Sequence, residues 1–382
     1  MSPSFAATMR RTTRMMDPHN QFKVVRNLQK SMAEVMINAA FAPFADQAPK
    51  GAKRRKARGP KVGRSLGGVV QQLRAAQPLM GGAVGRPTGR QATPRIPTGA
   101  QYMARWHRSA AGSRGYKLYL PASRPRRPKG LILMLHGCSQ NPDDFAIGTH
   151  MNALAEKHGL AVAYPAQTRS RFNRASCWKW FRPTHQHRGV GEPAILASLT
   201  RKLMREFGIR RDGVFVAGLS AGGAMAVILA DLYPEVFSAA GIHSGLARGS
   251  AHDVVSAMST MRSGAASTGS IPAVDARALP VRRIIFQGAA DRTVHPSNAG
   301  MIVAAAVGDD VVPTRTDNRS AGGREYARSE YAGADGTTLV EFWMIDGAGH
   351  AWSGGRPAGS YTDRKGPDAS THMLRFFMGK SA

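Results

Sequence analysis

Cysteine is almost absent from this 382-residue chain, which holds only Cys138 and Cys177. Neither belongs to a Cys-x-x-Cys pair and no histidines cluster beside them, so a zinc finger or ribbon is excluded and no metal is implied. Two thiols in a chain of this length read as reduced cysteines of a cytosolic protein, with one disulfide as the alternative. Acidic residues are scarce too, 24 against 53 Lys and Arg, for a formal charge of +29. No apolar run is long enough to span a bilayer, which excludes a transmembrane helix. The N-terminus "MSPSFAATMRRTTRMMDPHN" lacks the continuous apolar core and small-residue cleavage site of a secretory signal, so the expected location is the cytoplasm. Hydrophobic residues, by contrast, make up 42% of the chain, enough for a sizeable core. The length suits one large domain with an appendage, or two domains.

The cationic excess is uneven: residues 1–100 hold 18 Lys and Arg against 3 acids, a net +15 of the total +29. Between Asp17 and Phe41, residues Phe22, Val25, Leu28, Met32, Val35, Met36 and Ala39 recur at helical spacing, with Asp17 and Pro18 suited to a cap and first turn. Residues 1–45 are therefore expected to carry an amphipathic helix. Its polar face bears Lys23, Arg26 and Lys30, so it either docks on its own protein or lies on an anionic surface. Residues 46–100, with "APKGAKRRKARGPKVGRS" and a second Gly/Pro-laden stretch, cannot bury enough apolar surface to offset ordering and are expected to form a disordered basic linker. No aromatics interleave these cations, which excludes sequence-specific nucleic-acid recognition and leaves a polyanion as the kind of partner such an arm would take.

From residue 101 to 382 short apolar runs alternate with amphipathic segments. Strands are predicted at 116–121, 130–137, 160–165, 213–218, 237–242, 282–288 and 337–345, and helices at 148–158, 191–207, 221–232 and 297–307. Buried strands separated by helices imply an α/β domain, a mainly parallel sheet covered on both faces. Ligands of such sheets bind beyond the carboxyl ends of the strands.

One of those ends carries "VFVAGLSAGGAMAVILA". Gly-x-Ser-x-Gly is weak evidence alone, but here Ser220 falls between a predicted strand and a predicted helix, where the chain must turn sharply among small neighbours. Gly218 and Gly222 remove Cβ atoms that would clash, and Ala221 and Gly223 let helix and strand approach. The helix start then aims backbone N–H groups at the site. A serine hydroxyl needs a base and an orienting acid, which for this fold come in chain order after later strands. Asp291 in "GAADRTVHPSN" and His350 in "DGAGHAWSGG" stand there; Asp309, Asp310, Asp346 and His295 are poorer placed. The expected oxyanion donors are the backbone N–H groups of Ala221 and of Cys138 in "LHGCSQ", with His136 bracing that loop.

Together "LHGCSQNPDDF", "YPAQ", "CWKWF", "RGVGEPAIL", "VFVAGLSAGGAMA", "FQGAADRTVHPSNAG", "GAGHAWSGG" and "GPDASTHMLRFF" resemble the polyhydroxybutyrate depolymerase family of esterases, related to feruloyl and acetylxylan esterases, over residues 102–380. The resemblance implies an α/β-hydrolase fold and carboxylic-ester hydrolysis without a cofactor, through a Ser220, Asp291 and His350 triad. The implied substrate is a hydroxyalkanoate ester or oligomer. A feruloyl or acetylxylan esterase, or a granule- or polyanion-binding protein led by its arm, are the alternatives. Family members that pair the equivalent cysteines imply a Cys138–Cys177 disulfide, and many members are secreted, which makes an extracellular location the alternative. Trp178, Trp180 and Phe181 of "CWKWF", with Trp352 beside the histidine motif, are the expected substrate-binding faces; aromatic packing of a long loop is the other reading. Lys179 inside that cluster and the lack of a polymer-binding module count against crystalline polymer as the substrate.

Overall fold

A computed structural model describes residues 93–170, 173–264, 279–308 and 311–379. The expected N-terminal helix, nearly all of the expected linker, and Asp309 and Asp310 lie outside the described residues.

A ten-stranded sheet organises the rest, in the order β1-β2-β4-β3-β5-β6-β7-β10-β9-β8. Its centre is parallel: β3 (Leu131–Leu135), β4 (Ala161–Pro165), β5 (Val214–Leu219), β6 (Ala239–His243), β7 (Arg282–Gly288) and β10 (Thr338–Ile345). Every residue of β3, β4, β5 and β6 is buried, as expected of strands covered on both faces. Alternation divides the core: Phe215, Ala217 and Leu219 join Phe376, Phe377 and Met373 in one cluster, and Phe215 stacks on Phe377 with ring centroids 4.8 Å apart. Gly218 turns the other way, toward the helix after β5.

The helices are α1 (Pro142–Thr149), α2 (Met151–His158), α3 (Gly191–Phe207), α4 (Ala221–Leu232), α5 (Val254–Ser263), α6 (Ser297–Val307) and α7 (Ala369–Phe377). The predicted helix at 148–158 is in fact the junction of α1 and α2, broken at His150, whose φ of 56° is left-handed and ends the first helix. Asn141 caps α1, its side chain accepting the Asp144 N–H at 2.9 Å, and Pro142 opens it.

Both edges are antiparallel and were not predicted in full. β1 (Gln101–Ser109) forms a hairpin with β2 (Gly112–Leu120), and β8 (Thr314–Arg319) and β9 (Glu325–Ala332) extend the far side. β8 is mostly exposed and β1 has a single buried residue, so periodicity gave them no buried face to detect. Last comes a small parallel pair, β11 (Trp352–Ser353) with β12 (Thr362–Asp363). Among the described residues no helix is long and apolar enough to cross a membrane.

Candidate active site

The turn after β5 is as crowded as its glycines suggested. A Cβ on Gly218 would lie 2.3 Å from the Gly222 carbonyl oxygen, and one on Gly222 would lie 2.1 Å from that of Leu135. Ser220 itself has φ 57° and ψ −120°, a conformation that costs a side-chain-bearing residue about 1–3 kcal/mol and persists only where surroundings enforce it. Two hydrogen bonds do so: the Ser220 N–H donates to the His243 carbonyl at 2.8 Å, and the Ser220 carbonyl accepts from the Ala224 N–H at 2.9 Å.

Two strands further along, past β6, the loop after β7 carries Asp291. Its Oδ1 accepts the N–H groups of Thr293 and Val294, both at 2.9 Å, and its Oδ2 accepts Nδ1–H of His350 at 2.7 Å. Burial alone would raise its pKa, but the His350 charge and hydrogen bond, with the two backbone donors, outweigh burial and hold the carboxyl below its ordinary value. His350 leaves the end of β10, the strand beside β7, so the two loops rise from adjacent strands. With Nδ1 committed to a carboxylate, Nε2 is the nitrogen left to take a proton. The alternatives fall away: Asp346 and His295 are exposed, and His295 bonds Ser297 Oγ at 2.8 Å.

On the other side of β5, the loop after β3 is tied at most of its polar groups. The Gly137 N–H donates to Gln140 Oε1 at 2.9 Å and the Ser139 N–H to the Ala175 carbonyl at 2.5 Å. Among the described residues no acceptor meets the N–H of Cys138, nor that of Ala221, which opens α4 and so has no helical acceptor. His136 braces this loop as expected: Nδ1–H donates to the Gly137 carbonyl at 2.8 Å and Nε2 accepts the Gln167 N–H at 3.1 Å. Burial pushes its pKa down to about 4, so it is neutral.

Cys138 and Cys177 are joined, the pairing that the resemblance implied, in place of the reduced thiols that the cysteine count alone suggested. The reason is topological: β3 and β4 are parallel neighbours, so the loops leaving them emerge side by side at the same sheet edge. The bond links the Cys138 loop to "CWKWF". The aromatics of that loop, and Trp352 of β11, are enclosed. Trp178 and Trp352 are 0% and 1% exposed, with their indole N–H groups bonded at 3.0 Å to the His136 carbonyl and to Ser370 Oγ. Trp180 and Phe181, 4% and 7% exposed, pack edge to face. These rings are packed against protein rather than standing open.

Three polar residues went unremarked in the sequence. Gln167 bonds the Cys177 carbonyl at 3.1 Å and Glu192 Oε1 at 2.5 Å; Glu192 also accepts the Lys179 N–H at 2.9 Å. Burial works against the ionised Glu192, but His185, Gln167 and the Lys179 N–H lower its pKa overall. An acid in the first turn of α3, just ahead of the apolar run Pro193–Ala197, was the signal that could have found it. The third, His243, closes a strand of small apolar residues. Among the described residues no group of His, Cys, Asp and Glu is arranged to hold a metal.

Residues 114–328 match the family described as esterase PHB depolymerase, more than half of the chain. The chain is 32% identical over 241 residues to poly(3-hydroxyalkanoate) depolymerase C of Paucimonas lemoignei, covering 60% of this chain and 56% of that protein. It is 27% identical over 197 residues to a probable acetylxylan esterase A of Aspergillus clavatus, covering 48% and 62%. The chain thus spans less than two thirds of the length of either relative. Among solved structures, an acetyl xylan esterase from Aspergillus awamori superposes with a TM-score of 0.52 at 22% identity, over 66% of this chain and 93% of that one. That likeness shows the α/β-hydrolase fold. The chain belongs to the esterase PHB depolymerase family.

Proposed function

We propose that this chain is a serine esterase that hydrolyses hydroxyalkanoate esters or oligomers through Ser220, His350 and Asp291. The observation that carries the reading is the 2.7 Å His350–Asp291 hydrogen bond, two strands along the sheet from a serine held in a strained turn. Ser220 Oγ attacks the ester carbonyl while His350 Nε2 takes its proton; Asp291 holds the ring and balances the imidazolium. The tetrahedral oxyanion accepts from the Cys138 and Ala221 N–H groups. Collapse expels the alcohol, which leaves with the proton from His350, and the acyl group stays on Ser220. Water then attacks the acyl-enzyme, His350 again taking the proton and returning it to Ser220 as the acid departs.

The depolymerase relative supports hydroxyalkanoate esters as the substrate; the acetylxylan esterase relative supports acetylated sugars as the second reading. The disulfide favours an oxidising compartment, and hence the extracellular location, because cytosolic thiols are kept reduced. A fluorophosphonate probe is expected to label Ser220, seen by peptide mass spectrometry, and Ser220→Ala to abolish hydrolysis of p-nitrophenyl butyrate. A panel of hydroxybutyrate oligomers, acetylated xylan and feruloylated sugar separates the substrate readings. Labelling elsewhere, or activity surviving in Ser220→Ala, overturns the mechanism.

A further inference from the structure

The groups proposed to act in turn stand on separate strand ends, yet one buried residue touches both the turn of the nucleophile and the loop of the base. His243 is the last residue of β6, the strand between β5 and β7, and is completely enclosed. Its backbone pairs with Leu219 on one side and Phe286 on the other. Its carbonyl holds the Ser220 N–H at 2.8 Å. Its ring stacks with Phe286 and Trp352, centroids 5.9 and 5.3 Å away. Nε2 accepts the Ser353 N–H at 3.0 Å, three residues beyond His350. Because Nε2 accepts that hydrogen bond, the ring's own proton belongs on Nδ1, which faces Ser244 Oγ at 3.2 Å.

We infer that His243 is a positioning residue for the reaction proposed above, on which this inference rests: it holds the Ser220 turn by its carbonyl and the His350 loop by its imidazole, and so sets the separation of nucleophile and base. The loop is clamped again just downstream. Ser353 Oγ donates to the Pro367 carbonyl at 2.6 Å, and a Cβ on Gly366 would lie 2.1 Å from that hydroxyl oxygen. Release at Ser353 would therefore be felt upstream, at His350, rather than absorbed further along.

A neutral imidazole suits the place. A lysine could not accept the Ser353 N–H, and a carboxylate would set a second anion near His350 in competition with Asp291. Burial pushes the protonation of His243 down to about 3; His350 lowers it further and Asp291 opposes, and these two are the titratable groups that act on it. His243 therefore remains an acceptor when His350 becomes an imidazolium.

The test compares His243→Gln, whose Oε1 reaches the place of Nε2, with His243→Asn, which is too short to reach it. Both are read on the full chain as kcat and KM for p-nitrophenyl butyrate, per site titrated with fluorophosphonate so that any unfolded fraction drops out. A displacement near 1 Å costs on the order of 100-fold in rate, so Asn is expected to lower kcat by about 30- to 100-fold with KM changed less than about threefold, and Gln to restore kcat to within about fivefold of the native enzyme. Equal kcat in the two variants, or a loss that appears in KM alone, overturns the inference. If Asn does not fold, His243→Phe takes its place, keeping the stacked ring without the acceptor; native kcat there overturns it equally. Ser220→Ala run alongside separates the two readings: activity in that variant removes the triad, whereas an inert Ser220→Ala with a fully active His243→Asn removes only the role of His243.

Discussion

The nucleophile strand β5 lies between β3 and β6, and the chain beyond each neighbour is anchored by a buried histidine. On the β3 side, His136 Nε2 accepts the N–H of Gln167; on the β6 side, His243 Nε2 accepts the N–H of Ser353. Each imidazole thus gathers a loop from a distant part of the chain to the same sheet edge. The two sides part in the chemistry they support. On the β3 side stand backbone donors, steadied by a disulfide and by Gln140, Gln167 and Glu192. Ionised chemistry belongs to the β6 side, an Asp291–His350 pair whose loop is held at His243 by hydrogen bonds and ring stacking alone. On the roles proposed above, a site can be asymmetric in covalent reinforcement while symmetric in design: the donors that need only point are locked, and the base is held by weaker bonds.

The sharpest way to break the comparison is Asp291→Asn. The Thr293 and Val294 N–H groups already claim one oxygen. An asparagine would give them its only oxygen and turn its NH2 toward His350 Nδ1, driving the ring proton to Nε2, the nitrogen that must act as base. Loss of kcat by about 10³- to 10⁴-fold is expected, with little change in KM, as in other triads given this substitution. Nothing of that size is available on the β3 side, where no proton moves.

There the largest effect is on stability. The paired variant Cys138→Ser and Cys177→Ser opens a loop with a sequence separation of 39 residues. Chain entropy assigns such a crosslink about 4 kcal/mol of unfolding free energy, measurable by denaturant titration of the oxidised and variant proteins. Serine keeps the backbone N–H at 138, so kcat should fall by no more than about tenfold, well short of the loss of one oxyanion donor at about 10²- to 10³-fold. A kcat loss equal to that of Asp291→Asn would make the disulfide part of the chemistry and erase the contrast.

The strand ends bearing Ser220, Asp291 and His350 were legible because β5, β7 and β10 are apolar runs that stop at small or polar residues, and chain order then limits the acid and base. Edge strands β1 and β8 were not, since pairing with a neighbour rather than any buried face makes them strands. The break at His150 puts a non-glycine residue in the left-handed region, while Gly148, two residues earlier, is itself helical, so neither residue announces it. Nothing in the sequence marks the partners of the Trp178 and Trp352 N–H groups, which bond the His136 carbonyl and Ser370 Oγ inside the core. His243 and Ser353 are 110 residues apart, and no local pattern links them.

Titration puts the two anchors on common ground, with the smallest effect. Both imidazoles are held far below the ordinary histidine value of about 6.5, His136 down to about 4 and His243 to about 3, burial being the first cause in each. Asp144 raises and Arg114 lowers the first; His350 lowers and Asp291 raises the second. In the unfolded chain each takes up a proton near its ordinary value, while the folded protein does not until far lower pH. Stability from this source is therefore complete above about pH 6.5 and declines as pH falls toward 4, by on the order of 2 kcal/mol per histidine between pH 6.5 and 5. His107, His150 and His372, also lowered chiefly by burial, act in the same direction. Denaturant unfolding at pH 7.5 and 5 should show the loss, and His136→Gln and His243→Gln, lacking a titrating ring, should each flatten the slope by a similar amount. If only one of them does, the other imidazole is not held neutral, and the likeness between the two sides ends at geometry.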